Sequence, residues 1–164
     1  MAVQPQKPGP AQESVWDYPR PPRLERSDER VVIEFGGRTI AESTSTSRVL
    51  ETSHPPVYYV PTADFEPGVL IRVDGTSWCE FKGEAHYYDV VSGTFRAERA
   101  GWGYLSPTAG FEALLDTVAV YPGLMGRCLV DGETVQPQAG GFYGGWITSR
   151  VVGPFKGEPG SWGW

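Results

Sequence analysis

The sequence predicts a mostly β, compact single domain of two small sheets, with one short helix near residues 109–119. Turn signals recur every eight to twelve residues, and the runs between them alternate apolar with polar side chains. Only one stretch spaces its apolar residues as a helix does. Glycine (21) and proline (15) are abundant, which suits turns better than long helices.

Residues 1–13 are rich in Pro, Gln and Ala and read as a disordered tail. Pro19, Pro21 and Pro22 then force an extended path, which Trp16 and Tyr18 dock on the body. A polyproline arm offered to another protein is the sharper reading of this segment. RVVIEFGGRTIAES places Val31, Ile33 and Phe35 on one parity before a Gly36-Gly37 turn, a hairpin signature. RCLVDGETVQPQ repeats the pattern around Asp131-Gly132, and the two hairpins are expected to belong to two sheets. Between them SRVLETS, VYYVP, GVLIRVDG, TSWCEF, EAHYYDVV and TFRAERAGWGYL read as strands, with turns at Asp74-Gly75 and Gly93. In PTAGFEALLDTVAVYPG, Phe111, Leu114, Leu115 and Val118 fall at helical spacing behind Thr108 as N-cap. The domain is expected over residues 14–157, with 158–164 as a C-terminal tail.

The chain carries 14 basic and 20 acidic residues, a formal net charge of −6. Its basic stretch, PRPPRLERSDER, is interleaved with acids, so no nucleic-acid partner is expected. Phosphate-loop and RNP-type signatures are missing. No run approaches the roughly 18 apolar residues of a membrane span. The opening has no apolar run after Lys7, so no signal peptide is read there. A cytoplasmic location follows as an expectation, with Cys79 and Cys128 as reduced, unlinked thiols. There is no CxxC pair and no HxH or HxxxH spacing, although Glu51, His54, Cys79, Glu84 and His86 are all permissible ligands. No metal or other cofactor is expected. The oligomeric state is open, a dimer included.

WCEFKGEAHYYDV, residues 78–90, concentrates the reactive side chains. As a plain strand it puts Cys79, Phe81, Ala85 and Tyr87 on one face, and Lys82, Glu84 and His86 on the solvated other. Gly83 marks a bulge or kink that turns Lys82 or Glu84 to the side of Cys79. A second group stands in LETSHPPVYYVP. His54 precedes two prolines in a loop and suits a general base, with Glu51 three positions before it to orient the ring. Cys79 as nucleophile or Lys82 as polarising group completes a plausible set. The glycine-rich PQAGGFYGGWIT reads as a cradle, or as a loop whose Phe142, Tyr143 and Trp146 plug a core or groove. Trp78, Trp102 and Trp146 each need a partner for the indole N–H.

The runs LETSHPPVYYVP, TSWCEFKGEAHYYDV, GWGYLSP and VAVYPG resemble the bacterial family known as domain of unknown function 427. ESVWDYPRPPRLE and GGFYGGWITSRVVGPFKG are similar to the flanks of its longer, actinobacterial-type members. The resemblance spans residues 13–157, with its motifs in order. It implies a small, mostly β single domain of two packed antiparallel sheets, β-tent-like in shape, and brings no established activity. A nucleotidyltransferase-like label attached to that family finds no triad of metal-binding acids and no Gly-Ser motif here. The family pattern falls on Glu51, Ser53, Tyr58, Tyr59, Cys79, Lys82, Gly83, Tyr87, Trp102, Tyr104, Tyr121 and Pro122. GWGY departs from the Ala-Trp-x-Tyr run of relatives, and Gly101 and Gly103 are expected to loosen that strand.

The leading expectation is a domain that binds a small polar or anionic molecule in an aromatic-walled pocket between the sheets. Its ligand-binding set is Glu51, His54, Tyr58, Cys79, Lys82, Glu84, Tyr87 and Trp102. The alternative is a small enzyme at the same place, with His54 or Glu51 as base and Cys79 or Lys82 as reactive group. A third reading is a protein-interaction module built on the aromatic C-terminal stretch and the proline-rich arm.

Overall fold

The computed structural model describes residues 3–141 and 143–164. Among the described residues fifteen strands are joined by loops and by four single 3-10 turns. They are β1 (Glu13–Ser14), β2 (Arg23–Ser27), β3 (Val31–Phe35), β4 (Arg38–Ser43), β5 (Thr46–Leu50), β6 (Val57–Pro61), β7 (Leu70–Cys79) and β8 (Gly83–Ser92). Then come β9 (Phe95–Tyr104), β10 (Thr117–Val120), β11 (Arg127–Val130), β12 (Glu133–Thr134), β13 (Gln136–Pro137), β14 (Trp146–Ile147) and β15 (Val151–Val152). A seven-stranded antiparallel sheet runs β2-β5-β6-β10-β9-β8-β7, and a four-stranded one runs β12-β11-β3-β4. Two small pairs, β13-β14 and the parallel β1-β15, complete the fold.

The mostly β architecture of the sequence reading is present, and three local expectations change. Both predicted hairpins sit in one sheet, because β11 pairs with β3 over Arg127–Val130. Asp74-Gly75 is no turn; β7 runs through it with a register shift between Val73 and Thr76, a bulge in the edge strand. The helix near 109–119 shrinks to one 3-10 turn, Glu112–Leu114, followed by strand. Gly110 (φ +92) and Asp116 (φ +59) break the helical path on either side. Thr117, Val118 and Val120 are β-branched, and TVAV fills a gap between β6 and β9 where ladder pairing outweighs helical spacing.

The seven-stranded sheet has two apolar faces. One meets the four-stranded sheet through Val31, Ile33, Tyr58, Val60, Val118 and Trp146, among others. The other carries a second cluster: Val49, Tyr59, Ala85, Tyr104, Phe111, Leu114 and Ala119. Strand alternation deals neighbours to opposite faces, so Tyr58 goes to the first and Tyr59 to the second.

Near the amino end, Gln6 N–H donates to the Gly153 carbonyl (2.8 Å) and the Gln12 side-chain amide to that of Ser149 (2.7 Å). At the other end, Ser161 is buried and accepts at its carbonyl from Lys156 Nζ (2.9 Å). No described helix is long and apolar enough to cross a membrane.

Candidate functional site

The second apolar face is where the chemistry gathers. β7 ends at Cys79, a tight turn carries Glu80, Phe81 and Lys82, and β8 begins at Gly83 with φ +106. That dihedral is open to glycine and strained for other residues, so the kink read from Gly83 is a property of its backbone. The segment after β9 clamps the turn. Thr108 donates its N–H to the Lys82 carbonyl (3.1 Å) and its hydroxyl to the Phe81 carbonyl, which is its use in place of an N-cap. A Cβ at position 83 would lie 3.1 Å from the Ser106 carbonyl oxygen.

The clamp turns Lys82 inward. Its ammonium sits 6.0 Å from the Tyr104 ring centre and beside the Cys79 thiol. Burial pushes the Lys82 pKa down, but Tyr59, Cys79 and Glu51 together carry it above the ordinary lysine value, so the amine is charged at neutral pH. Among the described residues no carboxylate pairs with it. Glu51 is engaged by Arg20 Nε at 3.3 Å. Glu84, the other expected partner, is exposed on the opposite face, beside Arg72 and His86.

The loop after β5 supplies His54. Ser53 takes φ +71, donates its N–H to the Val15 carbonyl (3.0 Å) and accepts from Lys156 N–H (2.8 Å). His54 then faces inward, 3.9 Å from Glu51 Oε2 through Nε2. Its Nδ1 receives the Gln138 amide at 3.3 Å, which places the ring proton on Nε2, toward Glu51. Tyr143 packs edge-on at 5.5 Å. Burial pushes the His54 pKa down, Glu51 opposes this, and Arg20, Lys156 and Lys82 add to the fall. The imidazole is neutral at pH 7. It hydrogen-bonds to Gln138, and no bond links it to Cys79 among the described residues, so the nucleophile–base pair of the enzyme reading is not assembled.

Tyr59, which the expected ligand-binding set omitted, is central. Trp102 donates its indole N–H to Tyr59 Oη (3.2 Å) and packs on Tyr121 at 4.6 Å. Tyr59 and Tyr104 lie 6.3 Å apart, so an aromatic row leads from Lys82 to Tyr121. Tyr87 borders the row, bonded to Ser77 Oγ at 2.6 Å and covered by the Arg99 guanidinium at 4.1 Å. Tyr58 faces away; its hydroxyl donates to Glu29 (2.8 Å) and its ring packs on Trp146 at 5.0 Å in the core between the sheets. That space is filled, so the aromatic cluster lies on the outer face of the larger sheet and not between the sheets.

The glycine-rich loop packs on this face. A Cβ at Gly144 would sit 2.2 Å from Trp102 Cη2, so glycine lets the backbone close over the indole. Trp146 plugs the core, Tyr143 lines a groove, and Phe142 lies outside the described residues. Gln138, Lys156 and Arg20 also reach the site. Two sequence signals pointed to Tyr59 and Tyr104: the family pattern that falls on both, and the alternation in VYYVP and GWGY, which sends Tyr59, Trp102 and Tyr104 to one face. No group of three or more His, Cys, Asp or Glu side chains among the described residues is arranged to hold a metal.

No curated protein matches the chain. One family model, described as a domain of unknown function (DUF427), matches residues 23–131. The match takes in Glu51, His54, Tyr59, Cys79, Lys82, Trp102 and Tyr104, and leaves Gln138, Tyr143 and Lys156 beyond its end. A match over more than half of the 164 residues, on a β fold with a buried aromatic cluster, establishes that the chain belongs to the DUF427 family.

Proposed function

We propose that the protein binds a small anionic molecule, a carboxylate or a phosphate, on the Lys82–His54 face of the large sheet. The observation that carries this reading is a local charge imbalance. Arg20, Lys82 and Lys156 all act on His54, and among the described residues Glu51 is the acid that opposes them, in a chain whose net charge is −6. Arg20 already holds Glu51. The half-buried Lys82 ammonium, set against Tyr104, is left without an anion. Charge drawn partly out of water is costly until paired, and a ligand carboxylate or phosphate supplies the partner. Low-dielectric aromatic walls strengthen the attraction and focus it on one spot of an otherwise acidic surface.

The Cys79 thiol beside the Lys82 ammonium favours the enzyme reading as second, since the two reactive side chains stand together. Titration calorimetry with inorganic phosphate and with acetate tests the binding reading. The Lys82→Met variant is expected to lose at least about tenfold in affinity for whichever anion binds, with a melting temperature within a few degrees of the parent. Equal affinity in Lys82→Met, or no binding of either anion, overturns it.

A further inference from the structure

A groove of about 370 Å³ opens at the end of the aromatic row, away from Lys82, with Tyr121, Tyr143, Pro122 and Pro137 in its walls and Arg99 on its border. Arg99 is placed there by a bulge. The β8–β9 register shifts between Tyr88 and Val90, Arg99 takes φ +50, and Asp89 Oδ1 accepts its N–H at 2.8 Å. The bulge sets the guanidinium over the Tyr87 ring, 4.1 Å from its centre, with Nη1 2.9 Å from the Asp74 carbonyl oxygen. Arg99 is exposed, and no carboxylate pairs with it among the described residues; Asp89, its near neighbour, is ion-paired to Arg96 at 2.6 Å. The hydroxyls of Tyr121 and Tyr143 have no protein partner among the described residues. Burial raises the Tyr121 pKa, so that hydroxyl is a donor at neutral pH.

We infer that this groove, at the far end of the aromatic row from Lys82 and adjoining His54 through Tyr143 and Gln138, is a second binding site, and that it takes a flat aromatic acid. The ring lies between Tyr121 and Tyr143, and the carboxylate pairs with Arg99. Two phenol rings and two prolines make flat, weakly polar walls that favour a planar body over a hydrated sugar or a free inorganic ion. The guanidinium fork matches a carboxylate at two points. The volume stands at the small end of ligand pockets, about 300–1,000 Å³, which suits one or two fused rings and excludes a long chain.

The test is titration of the full chain with 2-naphthoate, followed by tryptophan fluorescence, since Trp102 packs on Tyr121. The neutral 2-naphthylmethanol and acetate are the comparison probes. The expected result is saturable binding of naphthoate at least about tenfold tighter than either comparison probe. Arg99→Gln is expected to remove that advantage, and Gly123→Leu to abolish binding by filling the groove. A Cβ at Gly123 meets only Pro137, at 3.6 Å, so that variant has room to fold. Arg127→Gln, an exposed cation on the other sheet, serves as the charge-matched control and is expected to bind like the parent. Unchanged naphthoate affinity in both Arg99→Gln and Gly123→Leu overturns the proposal. Loss in Lys82→Met with Arg99→Gln unaffected moves the ring acid to the Lys82 face and overturns the groove assignment while leaving the anion reading intact. Failure of naphthoate to bind where phosphate or acetate does overturns the groove assignment and leaves the anion reading intact.

Discussion

Glu13 and Arg48, thirty-five positions apart, form a two-point ion pair, with Nη1–Oε1 at 2.9 Å and Nη2–Oε2 at 3.3 Å. Arg48 is nearly enclosed and also holds Glu25 at 2.7 Å. Next to this pair Tyr58 donates to Glu29, which in turn receives Arg150. A half-buried ionic network, centred on the enclosed Arg48 and Glu29, therefore ties the amino-terminal segment to β2, β5, β6 and the turn before β15.

The network separates Glu13 from the residues before it. Glu13→Gln is expected to cost about 1–3 kcal/mol, since Arg48 keeps Glu25 but loses its bidentate partner. That is a fall of several degrees in melting temperature. A chain shortened to begin at Gln12 is expected to melt close to the parent, and one that begins at Ser14 to melt with Glu13→Gln. Identical melting of both shortened chains would remove the ion pair from the account.

The thiols are expected to separate cleanly. Cys79 is half-buried at the Lys82 turn, whereas burial pushes the Cys128 thiol up to about 12. Brief alkylation of the native protein with iodoacetamide, read by peptide mass, is expected to modify Cys79 first and to reach Cys128 only after unfolding. Equal labelling of both in the native state would contradict the burial.

Gly103 is a place where glycine tightens a strand. A Cβ there would lie 2.6 Å from the Thr117 carbonyl oxygen, so β9 and β10 approach closely because position 103 has no side chain. The loosening expected from GWGY is not what the contacts describe. Gly103→Ala is expected to cost about 1–3 kcal/mol in denaturant unfolding. Gly101→Ala, where the nearest atom is a Val118 methyl at 3.1 Å, is expected to cost less. A neutral Gly103→Ala would show that the strands part freely.

Asp89 and His54 both make stability depend on pH below neutrality, with the same sign. Asp89 has its pKa lowered, first by the Arg99 N–H and then by Arg96, with burial opposing them. Its contribution is present above the unfolded value near 3.8 and is lost as pH falls through the depressed folded value. Asp89→Asn is expected to destabilise at pH 7 and to match the parent at the acid end. His54, lowered by burial, binds its proton more readily when unfolded, so stability falls as pH drops below about 6.5. His54→Gln is expected to flatten that part of the curve between pH 5 and 7, and an unchanged slope would remove His54 from it.

The sequence by itself determined the β class, the Gly36-Gly37 and Asp131-Gly132 hairpins, and the kink at Gly83. Each rests on a local property: period-two alternation, or a backbone conformation that glycine reaches without strain. The family was legible too, from motifs short enough to survive as strings. Tertiary structure alone decided the rest. Phe111, Leu114 and Val118 are spaced as a helix, yet TVAV became a central strand because β6 and β9 offered it ladder partners on both sides. Tyr58 and Tyr59 are indistinguishable as letters; which one meets Lys82 depends on which face of the sheet the four-stranded sheet covers. Gln138, Lys156 and Arg20 lie far from His54 in sequence, and Arg99 owes its place to a bulge held by Asp89. Contacts between distant segments leave no periodic trace in one chain, so the partners of Lys82, His54 and Arg99 emerged only when the sheets closed.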